Sequence, residues 1–230
     1  MKIAHYQYLG YPRSGSTFLH GVFGWHPYLQ ECVSSVTKEG LYLTEARYKQ
    51  TFDKFDYSIN MHPLIIFPNF GTDDNFVKLA DSVTTKFFIC VRNPYDMIDS
   101  MHMYKSLKNC NELAIATLSN YSNHISWLQL LLTKPFKIFY FDDLLDSEHE
   151  FITDVYNWFE IPCEIPVNLD VINRNESSKT YFTGVGRSCV RTDREPVVHY
   201  NFSDQDIVNI NRNISTFEEL VNKNFDHWKR

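Results

Sequence analysis

Residues Gly10, Tyr11, Pro12, Arg13, Ser14, Gly15, Ser16 and Thr17 lie between an apolar, aromatic run at 3–9 and a stretch at 17–23 that can begin a helix. A strand, a glycine turn and a helix in that order form the signature of a phosphate-binding loop. Such a loop wraps backbone N–H groups around an anion, and the helix start behind it carries unpaired N–H groups and partial positive charge. In metal-dependent nucleotide hydrolases the pattern G-x-x-x-x-G-K-[ST] also puts a lysine on the β/γ-phosphates and a hydroxyl on Mg²⁺. Here the glycine spacing and Thr17 are kept, Ser16 stands where the lysine would be, and the cation lies inside the loop as Arg13. That exchange points to a phosphorylated nucleotide whose reactive end is not a metal-chelated γ-phosphate.

The remaining pattern suits a loop of this kind. Apolar, β-favouring runs at 3–9, 64–67, 87–91 and 138–141, with a weaker one at 32–36, are separated by helical patterns. This is the rhythm of parallel strands joined by crossover helices. The expected fold is therefore α/β, a P-loop-like three-layer arrangement in which helices flank a central parallel sheet, with ligands at the carboxyl ends of the strands. One helix is expected over 112–133, where Ala114, Leu118, Tyr121, Ile125, Leu128 and Leu132 form a core stripe. Another should start at Ser147 with Glu150 as its capping-box partner, carry Phe151, Val155 and Trp158 on its inner face, and end at Ile161-Pro162. A third should start at Ser203, with Ile207, Ile210, Ile214, Phe217 and Val221 at helical spacing.

With 230 residues, 43% of them hydrophobic, and no Pro/Gly/Ser-rich linker, the chain reads as a single domain over 1–230. A formal charge of −6 argues against general nucleic-acid binding but leaves room for a local basic pocket. Arg174, Lys179, Arg187, Arg191 and Arg194 against Glu176 and Asp193 make one such basic stretch. No apolar run reaches the roughly 18 residues of a membrane span, and no signal-peptide pattern opens the chain, so a soluble, cytoplasmic protein is expected. Cys32, Cys90, Cys110, Cys163 and Cys189 are scattered without a C-x-x-C pair, which indicates neither a metal site nor a disulfide framework.

A second anion site follows the run at 87–91. Arg92 is succeeded by Asn93, which suits an N-cap, and Pro94, which suits the first helical position, so the arginine falls at the end of a strand. Ser100 lies about two turns into that helix, within reach of the same ligand. Together the two segments resemble the nucleotide-binding signatures of sulfotransferases that use 3′-phosphoadenosine 5′-phosphosulfate (PAPS). Residues 12–17 match that family's Pro-[Arg/Lys]-Ser-Gly-[Thr/Ser]-Thr loop, and Arg92 with Ser100 matches its arginine-to-serine spacing of eight. His26-Pro27, the segment Lys38-Glu39-Gly40-Leu41-Tyr42, the segment Tyr140-Phe141-Asp142-Asp143-Leu144 and the loop Gly184-Val185-Gly186-Arg187 extend the likeness, most closely to the carbohydrate-modifying members. Gly40 stands where those members usually have proline, and Val185 where they have lysine.

The resemblance implies in-line transfer of a sulfuryl group from PAPS, leaving its bisphosphate product PAP, to an acceptor hydroxyl or amine on a small molecule or glycan. Arg13, Ser14, Gly15, Ser16 and Thr17 would hold the 5′-phosphosulfate, Arg92 and Ser100 the 3′-phosphate, and Gly186 and Arg187 would close over the nucleotide. Glu39 would be the base, and Lys38 would assist at the acceptor or the sulfuryl group. A sulfuryl group carries less negative charge than a phosphoryl group, so no metal is expected. His62, ahead of the run at 64–67, is the rival base. Two other functions compete: a nucleotide or small-molecule kinase, with Asp142 and Asp143 holding Mg²⁺ after a strand, and a non-catalytic PAP-binding module.

Overall fold

Among the described residues, strand β1 (Ala4–Tyr8) is the middle one of five sheet strands, with all five of its residues buried. The computed structural model describes residues 4–11, 14–15, 19, 23, 29–32, 57–60, 74–102, 112–161, 163 and 200–230. The other strands are β2 (Gln30–Cys32), β3 (Tyr57–Asn60), β4 (Lys86–Val91) and β5 (Phe136–Tyr140). They are ordered β2-β3-β1-β4-β5, and every neighbouring pair is parallel. The described helices are α1 (Asp74–Val83), α2 (Pro94–His102), α3 (Glu112–Ser119), α4 (Tyr121–Leu131), α5 (Phe141–Asp146), α6 (Glu148–Phe159) and α7 (Asp204–Val221), followed by a 3₁₀ turn at Asp226–Trp228.

Both faces of the sheet are covered, as its composition requires. Phe87, Ile89 and Val91 of β4 join a core built with Val77 of α1, Met97 and Ile98 of α2, Leu118 of α3, Ile125 of α4 and Phe217 of α7. The intervening Phe88 and Cys90 join the opposite core, with Tyr6 and Tyr8 of β1, Phe139 of β5, Leu144 of α5 and Val155 of α6. A strand with apolar residues on both sides has no solvent face, which is why it reads as an unbroken apolar run. The fold is thus the expected α/β, three-layer, P-loop-like arrangement.

Local signals account for most element boundaries. Asn93 Oδ1 accepts the Tyr95 N–H at 3.0 Å, capping α2 with Pro94 in its first position. The Ser147 hydroxyl accepts the Glu150 N–H at 3.4 Å, and Ser203 with Asp206 forms a full capping box at α7. Helix α6 ends on Glu160 in the left-handed conformation, φ 58°. The C-terminal turn is locked by Trp228, whose ring stacks on Phe225 at 4.2 Å and whose indole donates to Asp142 Oδ2 at 2.5 Å.

Two expectations need correction, and two more fall wholly or mostly on residues that are not described. The stripe over 112–133 is two helices, because Asn120 interrupts the backbone and offers its side chain to the Asn123 N–H at 3.4 Å. Asn at an N-cap competes with helix continuation. Strand β5 starts at Phe136, two residues before the expected 138, and Phe141 opens α5. The strand beside β1 is Tyr57–Asn60, and the run at 64–67 lies outside the described residues. The weak expectation at 32–36 overlaps only the last residue of β2, with 33–36 outside the described residues.

Candidate functional site

The loop after β1 is shaped from below by the last residue of the strand. The Tyr8 ring lies against Gly10 so closely that a Cβ on that glycine would sit 1.7 Å from Tyr8 Cζ. The buried Tyr8 phenol is 2.6 Å from Ser14 Oγ, and Ser14 Oγ donates to the Tyr11 carbonyl at 2.6 Å. Since the serine proton is committed to that carbonyl, the Tyr8 hydroxyl is the donor in the first contact, and burial, which pushes its pKa up, keeps it protonated. Ser14 is fully buried and its N–H also turns toward Tyr11 O, at 3.4 Å. Ser14 therefore sets the curvature of the loop from within.

Gly15 follows in the left-handed region, φ 91°, and its carbonyl accepts the Leu19 N–H at 3.1 Å, with Leu19 helical. The second glycine of the motif is thus the hinge from turn to helix, in a conformation that a residue with Cβ adopts only under strain. A Cβ there would also meet the Phe141 ring at 2.9 Å.

Beside this loop the neighbouring strand runs further. Leu9 N–H donates to Phe88 O at 2.8 Å, and Tyr8 is in register with Phe88. Strand β4 continues three residues beyond that pair, to Val91, or about 10 Å along the flank of the loop. Arg92 comes next, 8% exposed, with its guanidinium 4.6 Å over the ring of Phe141. Phe141 thus packs against both the Arg92 guanidinium and Gly15, so the two predicted anion segments meet at a single ring. Strand order explains this: the chain leaves β1 toward β2 and β3 on one side, while β4 and β5 lie on the other. The crevice between diverging connections opens at the carboxyl ends of β1 and β4.

Ser100 is half-buried on α2, two turns after Arg92. Its neighbour Asp99 accepts the Tyr200 N–H at 2.6 Å and pairs with Arg230 at 3.2 Å, fastening α2 to the C-terminal part of the chain. Arg13, Ser16, Thr17, Lys38, Glu39, Gly186 and Arg187 lie outside the described residues, as does the rival base His62.

Several contributors carry no motif. Tyr121, at the start of α4, donates to the Arg92 carbonyl at 2.5 Å. One turn later His124 Nδ1 is 2.8 Å from the Tyr11 hydroxyl. Burial holds His124 down near 4, so its ring is neutral at pH 7 and shares a hydrogen bond with the Tyr11 phenol. Tyr121 was legible as core; the only hint of more was that a buried phenol must find an acceptor. His124 carried no such signal.

The acid dependence of stability follows with a definite sign. Between the ordinary histidine value of 6.5 and about 4 the unfolded chain binds a proton at His124 that the folded chain does not, so this residue lowers stability as pH falls through that window. Urea midpoints from pH 7 to 4 should therefore fall less steeply in His124→Gln, by about 3 kcal/mol at pH 4. Parallel profiles for the two proteins would contradict a buried, neutral His124.

The pair Asp142 and Asp143 has other partners. Asp142 Oδ2 accepts from the Trp228 indole and lies 2.8 Å from His227 Nε2, and Asp143 pairs with Lys223 at 3.4 Å. These carboxylates fasten α5 to the C-terminal segment. Among the described residues no helix is long and apolar enough to cross a membrane.

No protein-family model matches the sequence, and no curated protein matches it significantly. Solved structures do match in shape. A sulfotransferase from Alicyclobacillus acidocaldarius aligns over 100% of both chains with a TM-score of 0.55 and 11% identity. The sulfotransferase domain from the curacin biosynthetic pathway aligns over 98% of this chain and 99% of its own, with a TM-score of 0.55 and 12% identity. Mouse sulfotransferase SULT7A1, complexed with PAP, aligns over 99% of this chain and 86% of its own, with a TM-score of 0.51 and 15% identity. The chain has the fold of these sulfotransferases.

Proposed function

We propose that this chain is a single-domain sulfotransferase that moves a sulfuryl group from PAPS to an acceptor hydroxyl or amine, on a carbohydrate, by in-line transfer. The observation that carries this reading is the meeting of Gly15 and Arg92 at Phe141, which fits one ligand with an anion at each end. A glycine hinge at a helix start suits a phosphate with its attached sulfuryl group, and a guanidinium at the tip of a strand suits a second phosphate. The PAP in the mouse sulfotransferase structure is a ligand of that class.

The donor supplies an SO₃ group on a phosphate oxygen; the remaining work falls to side chains and amides. Arg13, the amides of the loop and the hydroxyls of Ser16 and Thr17 stabilise charge on the phosphate oxygen as its bond to sulfur lengthens. Ser14 keeps that loop curved, Arg92 and Ser100 hold the 3′-phosphate, and Gly186 with Arg187 covers the nucleotide. Glu39 removes the acceptor proton as its oxygen attacks, because an alcohol is a weak nucleophile until that proton is leaving. Lys38 steadies the acceptor or the sulfuryl oxygens.

The direct test offers the protein a pool of glycan acceptors with labelled PAPS plus EDTA, and in parallel labelled ATP plus Mg²⁺. Label transfer from PAPS in EDTA is expected. Transfer from ATP alone would replace this reading with a kinase, and tight PAP binding without transfer to any acceptor would leave a binding module.

Arg92→Ala should weaken adenosine 3′,5′-bisphosphate by about 1.5–3 kcal/mol in calorimetry, the size of a lost charge-assisted contact. Adenosine 5′-monophosphate should bind the variant nearly as it binds the parent. An equal loss for both ligands would mean that Arg92 does not read the 3′-phosphate.

A further inference from the structure

We infer that Tyr121 and His124 of α4 are positioning residues that brace the two anion-binding loops at a fixed separation, and that this brace makes the protein prefer a nucleotide carrying both phosphates over one carrying only the 5′-phosphate. The inference rests on the donor reading above.

The two residues are three apart on one helix and so face the same way. Each holds a different loop. Tyr121 donates to the main-chain carbonyl of Arg92, at the root of the side chain assigned to the 3′-phosphate. His124 hydrogen-bonds the hydroxyl of Tyr11, the residue whose own carbonyl receives the Ser14 hydroxyl inside the glycine loop. The Tyr11 and Tyr121 rings meet edge to face at 4.6 Å, so the two attachments are also packed on each other.

The brace is itself anchored. Tyr121 packs against Phe217 of α7 at 5.3 Å and against Trp228 at 6.4 Å. Trp228 holds Asp142, whose chain neighbour Phe141 carries the Arg92 guanidinium. Contacts therefore run in a closed circuit from Tyr121 through Trp228, Asp142, Phe141 and Arg92 back to Tyr121, and no member can shift without disturbing the next. All of these rings are buried or nearly so.

A ligand with one phosphate needs only one loop, and that loop can adapt to it. A ligand with two phosphates gains its second contact at little further cost only where the separation is already set. Loosening the brace should thus penalise the bisphosphate selectively, whereas a residue that merely supports folding would lower the melting temperature and leave selectivity alone.

The experiment measures the dissociation constants of adenosine 3′,5′-bisphosphate and adenosine 5′-monophosphate by calorimetry, for the parent and for Tyr121→Phe, below both melting transitions. The parent should prefer the bisphosphate, and Tyr121→Phe should reduce that preference by about tenfold, mainly through weaker bisphosphate binding. An unchanged preference in folded Tyr121→Phe overturns the brace while leaving the donor reading intact. A parent with no preference overturns the donor reading itself. If Tyr121→Phe does not yield folded protein, Tyr11→Phe, which removes only the hydroxyl on His124, is read in its place by the same criterion.

Discussion

Gly10→Ala is expected to lower the stability of the fold by about 3 kcal/mol, at the upper end for overpacking a buried site. The added methyl would lie 1.7 Å from Tyr8 Cζ and 1.8 Å from its hydroxyl oxygen, so the ring must leave its place. It has nowhere to go: Tyr8 is fully buried, with the Phe88 ring 5.0 Å away and its hydroxyl committed to Ser14. Any displacement also releases Ser14 and with it the curvature of the loop, so nucleotide binding should fail along with stability. Urea denaturation of Gly10→Ala, Tyr8→Ala and the double variant provides the check. The alanine at position 10 should cost far less once the ring is gone, a coupling expected of residues in direct contact. A Gly10→Ala protein within about 0.5 kcal/mol of the parent, the range of an ordinary surface change, would show that the ring does not lie there.

The second large effect concerns the reaction. With Glu39→Gln, sulfuryl transfer should fall by more than about a hundredfold, the usual weight of a general base, while calorimetry finds donor affinity nearly unchanged. The amide keeps the shape of the side chain and loses only its capacity to take a proton. Turnover equal to that of the parent would remove Glu39 from the chemistry, and the same assay on His62→Asn would then decide whether that histidine is the base. If both variants retain full turnover, neither residue carries the proton.

Much of the fold was legible because its signals are short-range. The turn at Gly10 and Gly15, the Asn93-Pro94 start of α2 and the caps at Ser147 and Ser203 depend on residues within a few positions of one another, and all of them occur in the structure. Strand β4 was readable because burial on both faces leaves it no polar alternation. Misreadings arose where local chemistry was ambiguous. Asn120 sits inside an apolar stripe that continues through it, yet its side chain caps a new helix. Tyr57–Asn60 is short and half polar, and it is a strand only because β1 and β2 pair with it on either side.

The candidate site divides along the same line. Glycine spacing, an arginine ahead of Asn-Pro and a serine eight residues later are properties of the chain read in order, and they mark two candidate anion segments without a fold. Their meeting belongs to tertiary structure alone. It requires β4 to pair with β1 from the side opposite β3, and β4 to overrun the Tyr8 and Phe88 register by three residues. It also requires the start of α5 to bring Phe141 against both the glycine hinge and Arg92. Tyr121 and His124 likewise look like one more turn of core helix until α4 is packed across both loops. Pairing and packing over such distances in sequence are settled by the burial of whole elements against one another, which no local run of residues encodes.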